Sequence, residues 1–154
     1  FFWHDFCDNY LEIVKKRIYN NKKGKESAQY VLYESLLAIL KLFAPIMPFI
    51  TEEIYQKYYK NNKKQISIHL TEFDDIDIKE DKKILEAGDF FLSILSKIRQ
   101  EKSTAKKPMN AEIIVYLPKG QVSKLKNLID DLKDVANARE IKETKENKLK
   151  VEFV

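Results

Sequence analysis

The chain is short of the residues that build loops and cross-links. Its 154 residues include one cysteine, three glycines and four prolines. A single cysteine cannot form an internal disulfide framework, which fits a reducing, cytoplasmic setting. So few glycines leave little room for phosphate-cradling loops, collagen-like repeats or an all-β fold full of tight turns. No apolar run approaches the roughly 20 residues of a membrane span, so no membrane partner is expected. There is no initiating methionine and no leader, and the chain begins inside what reads as a helix. It is therefore expected to be a piece of a longer protein. What the chain does have is 44% hydrophobic and 34% charged residues. That supports a real core under a heavily charged surface, in one domain or a domain with a small appendage.

The net charge of +4 hides a pattern. Residues 1–64 carry net +4, residues 65–89 net −5, residues 90–120 net +4 and residues 121–154 net +1. Two basic stretches flank an acidic one. If the fold brings them together, their field exceeds what the total implies.

Helical spacing dominates the first two thirds. Trp3, Phe6, Tyr10, Ile13 and Val14 give one face of a helix over 1–20, widened by Cys7, Leu11 and Ile18. A Lys-rich turn at 20–24 ends it. Ser27 is placed to cap a second helix, whose apolar positions cover most of its circumference. Pro45 and Pro48 break it, and Pro48 starts a third helix through about residue 61. Glu52 and Glu53 then sit near the positive end of that helix dipole. Residues 66–73 alternate as a short strand or an extended crossing segment. Residues 74–81 read as a solvated acidic link. A fourth helix spans 82–103, with Ile84, Leu85, Gly88, Phe91, Leu95 and Ile98 on one side. The period changes after Pro108. Strands are expected at 113–117, 135–141 and 149–154, with a short amphipathic helix over 122–132. This β-α-β-β unit is too small to be secure alone and should dock on the helices. The expected fold is mainly α: a helical bundle over 1–107 with a small α/β appendage over 108–154.

Catalytic constellations are scarce. There is no Gly-x-x-x-x-Gly-Lys loop and no Gly-x-Ser-x-Gly elbow. His4 and Asp8, one turn apart, fall far below the usual ligand count for a metal, so no metal site is expected. Cys7 lies among aromatics with no partner base and reads as a buried, inert thiol.

The fourth helix carries the clearest signal. Arg99, Lys102 and Lys106 lie along the edge of its apolar stripe, and Lys97 and Lys107 add to the cluster. A face that buries into a core becomes cationic in its last turns. Either it meets a polyanion or it complements the helix dipole at a solvated end. Lys15, Lys16 and Arg17 repeat the feature in the first helix, followed by Lys22, Lys23 and Lys25. The aromatics Phe1, Phe2, Trp3, Phe6 and Tyr10 either fill the core or stack on unpaired bases. Phe2 and Trp3, at the edge, are the least bound to the core reading.

These residues resemble a known family. Residues 2–17, with Trp3, Phe6, Cys7, Asp8, Tyr10, Leu11, Glu12 and Lys15, match the W-x-x-F-C-D-x-Y-L-E-x-x-K helix of the anticodon-binding domain of class I aminoacyl-tRNA synthetases. Residues 43–55, Phe-Ala-Pro-Ile-Met-Pro-Phe-Ile-Thr-Glu-Glu-Ile-Tyr, resemble that domain's second signature. Residues 68–73 stand where the family has a short segment after the third helix. Ile98, Arg99 and Lys102, then Ala111, Glu112 and Ile113, are similar to the valyl branch. The isoleucyl and leucyl branches share the first two signatures more loosely.

The resemblance implies a bundle that binds a tRNA anticodon stem-loop and packs on the catalytic body of the same, monomeric enzyme. That enzyme attaches an amino acid, valine in this branch, to tRNA using ATP with magnesium. The class signatures His-x-Gly-His and Lys-Met-Ser-Lys-Ser are absent, so this chain is expected to bind without catalysing and to hold no cofactor. Residues 101–106 look slightly like the second signature but lack its last Lys-Ser. The family bundle has a further helix, expected upstream. The coiled-coil arm that some valyl enzymes carry is not seen. Lys15, Lys16, Arg17, Lys97, Arg99, Lys102 and Lys106 are the expected RNA contacts, with Trp3 as a stacking residue. Arg17 and Arg99 lead for base contact, because a planar guanidinium can both bond and stack. The rival reading is a docking module with little RNA contact of its own.

Overall fold

The computed structural model describes residues 1–20, 23–73, 79–125, 128–146 and 148–154. They form two compact units. One comprises residue 1, residues 3–22 and residues 79–154; the other comprises residue 2 and residues 23–78.

The second unit is helical. α2 (Lys25–Phe43) and α3 (Pro48–Tyr58) pack with a short 3-10 turn, Ile68–Leu70. Leu37, Leu40, Ala44, Tyr55, Tyr59 and Ile68 form its core. Pro48 opens α3, where its missing N–H costs nothing. One sequence expectation changes here and one open alternative closes. Ser27 does not cap α2; Gly24 does, at φ 82°, a left-handed conformation that suits glycine. Residues 66–73 form no strand. Ile68 is buried, and the Glu52 carboxylate accepts from Ser67 Oγ and from the Ile68 N–H, both at 2.9 Å. Glu52 thus pins this segment to α3 instead of acting only on the helix dipole. Burial pushes its pKa up, but bonds from Gln56, Ser67 and Ile68 outweigh that and hold it below the usual value. The buried tyrosine hydroxyls also bond to backbone: Tyr55 donates to the Gln65 carbonyl and Tyr59 to the Tyr33 carbonyl, each at 2.9 Å.

The first unit joins helices to a sheet. A π-helical segment, Phe2–Leu11, runs into α1 (Glu12–Tyr19). Its wider turn dissolves the stripe expected from α-helical spacing. Phe6 and Val14 are buried, but Trp3 is 64% exposed. α4 (Lys82–Thr104) is capped by Asp81, which accepts from the Lys83 N–H at 2.9 Å. β1 (Ile113–Pro118) is the central strand, parallel to β2 (Ala138–Thr144) and antiparallel to β3 (Lys150–Phe153). The connection from β1 to β2 holds two short helices, α5 (Gln121–Lys124) and α6 (Ile129–Ala136), where one was expected. Phe91, Ile94, Leu95 and Ile98 of α4 share one core with Ile113, Val115 and Leu117 of β1 and Leu132 and Ala136 of α6. That shared core is how a unit of about 45 residues, too small to bury enough surface alone, is stabilised. Of the acidic link expected over 74–81, residues 74–78 lie outside the described residues, as does Lys22.

Candidate nucleic-acid interface

The helical period sorts the cations of α4 onto different faces. Successive residues turn about 100°, so Lys97 and Arg99 point nearly opposite ways. Arg99 faces a cleft of about 930 Å³ within the first unit, with Lys15, Lys16, Met109, Asn110 and Asn137 around it. Lys97 is exposed and lies with Gln100 and Lys148 at a smaller cleft of about 270 Å³.

Arg99 is half-buried and held flat. One terminal nitrogen donates to Asn9 Oδ1 at 2.8 Å, the other to the Asp8 carbonyl at 2.9 Å. Asn9 is fixed in turn, its Nδ2 donating to the His4 carbonyl at 3.0 Å. His4 Nδ1 lies 3.2 Å from Asp8 Oδ2, a hydrogen-bonded pair on one helix. Cys7 is half-buried. Lys15 is exposed and pairs with Glu12 at 3.2 Å. Lys16 donates to Asn137 Oδ1 at 3.3 Å. Asp8, Glu12 and Asp134 also line the cleft, so its field is mixed, with cations interleaved among carboxylates.

Two expected contacts prove to be internal. Lys102 is 1% exposed, and its ammonium donates to the carbonyls of Met109, Ala111 and Ala136. It lies at i+4 from Ile98, inside the apolar stripe and not at its edge. Burial, and secondarily the charge of Lys16, push its pKa below the ordinary lysine value. Arg17 turns to α6, where Nε donates to Asp131 Oδ1 at 3.2 Å and a terminal nitrogen pairs with Oδ2. Beside them, burial raises the Tyr10 pKa, Arg17 works against the rise and Asp131 adds to it.

Lys106 sits where α4 ends. The Lys107 N–H donates to the Lys102 carbonyl at 2.9 Å and the Lys106 N–H to Ser103 at 3.0 Å. This double bond pattern places Lys106 in the left-handed region, φ 53°, where glycine is usual. Its side chain is exposed, while Lys107 lies over the Phe153 ring at 5.9 Å. The fold therefore gathers Lys15, Lys16 and Arg99 around one cleft, with Lys102 beneath it. Lys97, Lys106, Arg17 and Trp3 do not line it.

Sequence reasoning passed over Asn9, Asp131 and Asn137. Asn137 fell inside the strand expected over 135–141; the helix instead runs on to Ala136, Asn137 caps it in the left-handed region at φ 51°, and the strand begins at Ala138. Asp131 had no readable signal, because its partner is set by tertiary packing.

A family model described as the anticodon-binding domain of tRNA ligase matches residues 1–117. The chain belongs to this family. Similar proteins include the valine–tRNA ligase of Orientia tsutsugamushi, 40% identical over 148 residues, covering 91% of this chain and 17% of that protein. That of Rickettsia felis is 37% identical over 159 residues, covering 100% of this chain and 18% of its own length. That of Rickettsia canadensis is 40% identical over 161 residues, covering 100% and 19%. The chain thus spans less than a fifth of these relatives. Among the described residues of this anticodon-binding domain, no group of three or more His, Cys, Asp or Glu could hold a metal ion. Nor is any described helix long and apolar enough to cross a membrane.

Proposed function

We propose that this chain is the tRNA-reading part of a valine–tRNA ligase, and that it binds the anticodon stem-loop. The observation that carries the reading is the family match over 1–117 together with 36–40% identity to valine–tRNA ligases along almost the whole chain. The parent enzyme would join valine to tRNA with ATP and magnesium, as a cytoplasmic monomer. Its catalytic body would hold those substrates. Here residues 1–107 would form the reading bundle and residues 108–154 its appendage.

The geometry supports a division of labour. Arg99, with two of its five N–H groups committed, keeps a planar face and free donors for a base or phosphate. Lys15, Lys16 and Lys106 supply phosphate contacts that set register, with Lys97 and Trp3 as outlying contacts. Lys106 holds a cationic side chain at a backbone conformation that favours glycine, and strain of that kind tends to be kept where function needs it. Arg17 and Lys102 act as scaffold. Bases of the loop are splayed and read on their edges, as single-stranded RNA allows.

A labelled valine-tRNA anticodon stem-loop, titrated with the chain at two salt concentrations, tests this. Arg99→Ala should weaken binding by about 1–3 kcal/mol. Log K should fall with log salt by about 0.7 per phosphate contacted. Unchanged affinity would remove Arg99 from the site, and a flat salt response would remove the phosphate contacts.

A further inference from the structure

We propose that Lys102 is a positioning residue for this cleft, its ammonium holding the connection between α4 and β1 in the conformation that forms one cleft wall. The inference rests on the anticodon-binding reading above and adds a side chain that acts from within the cleft wall, 1% exposed. The three carbonyls it meets are Met109 at 2.8 Å, Ala111 at 2.8 Å and Ala136 at 2.7 Å. An ammonium has three donors and no acceptor, so the set is complete. Two of the carbonyls belong to the connection and the third ends α6. A helix C-terminus leaves carbonyls unpaired and carries partial negative charge, so it is a natural seat for a cation.

The wall has a second tie. Asn137 Nδ2 donates to the Asn110 carbonyl at 2.8 Å, while its Oδ1 accepts from Lys16. Met109 and Asn110, which line the cleft, are thus fixed from both sides. A methionine would fill the Lys102 volume without the cost of a buried charge. It would also leave three carbonyls without their donor. A buried charge with a full set of partners gives the backbone one conformation where an apolar side chain would allow several.

The test uses the full chain with Lys102→Met and Asn137→Gly. Glycine at 137 keeps the left-handed backbone and removes only the side-chain ties. Stem-loop affinity, circular dichroism and amide exchange over 107–112 are measured for each. Lys102→Met should stay folded, exchange faster over that segment and bind about tenfold more weakly. Combined with Arg99→Ala, it should weaken binding by clearly less than the product of the two single effects, because both walls hold one ligand. A merely structural lysine would lower the melting temperature, leave affinity of the folded chain unchanged and combine additively. Should Lys102→Met fail to fold, Asn137→Gly decides, with about threefold weaker binding expected. Unchanged affinity in the folded variant overturns the inference alone. A wild-type chain with no affinity overturns the anticodon reading and this inference together.

Discussion

Arg17 and Asp131, 114 positions apart, are joined at two points, Nε to Oδ1 at 3.2 Å and a terminal nitrogen to Oδ2. The Asp131 side chain is 7% exposed and that of Arg17 26%. The pair ties α1 to α6 within the first unit. Asp131→Ala should cost about 2–3 kcal/mol, below the 3–5 of a fully buried pair because Arg17 keeps contact with water. A denaturant midpoint that falls with an unchanged slope would confirm it. Wild-type stability in Asp131→Ala would deny the pair its role.

Lys106 gives a prediction with two opposite signs. Glycine at this left-handed position removes backbone strain, so Lys106→Gly should raise stability by up to about 1 kcal/mol. The same change removes a cation. Stem-loop affinity should fall, and the salt slope should shrink by about 0.7, the loss of one phosphate contact. A destabilised variant with unaltered salt dependence would contradict both halves.

Gly88 lies inside α4 with open space where a Cβ would stand. Its φ is not in the left-handed region, so nothing local requires glycine. Gly88→Ala should stabilise the chain by about 0.5–1 kcal/mol through reduced unfolded-chain entropy. Thermal and denaturant melts at equal protein concentration measure it.

Glu52 predicts a pH dependence. Its folded pKa is lowered from 4.5, so ionised Glu52 stabilises the fold fully above that value. The contribution is lost as pH falls through the lowered folded pKa. Glu52→Gln should cost about 1–2 kcal/mol near neutral pH, since it weakens charge-assisted bonds to Ser67 and Ile68. The gap between variant and wild type should narrow as pH falls through that lowered pKa. A gap constant from pH 7 to pH 3 would point to packing instead.

Periodic features were legible in the chain itself. α4 was expected over 82–103 and spans Lys82–Thr104, because its apolar stripe and polar flanks follow the 3.6-residue period closely. The start of α3 at Pro48 and the run of β1 also followed from local chemistry. Residues 66–73 left a strand and a crossing segment both open, since alternation over so few residues is shared by the two, and the bonds from Glu52 close the choice. Phe2–Leu11 did mislead. Its spacing promised an α-helical stripe, but i→i+5 winding moved Trp3 off the buried face.

The candidate site divides in the same way. Residue type and spacing identified the cations, and the two signature segments identified the family. Those are local properties, carried by neighbours within a turn or two. Whether a given cation faces water or protein is not local. Arg99 and Lys102 stand three positions apart, yet one lies at a cleft and the other is sealed under three carbonyls. The sequence determined a helix-rich, anticodon-binding domain with cations along α4. The tertiary structure decided which cations remain available: α6 brings Asp131 to Arg17 from 114 positions away and the Ala136 carbonyl to Lys102 from 34, and the turn after α4 folds the Met109 and Ala111 carbonyls back onto Lys102.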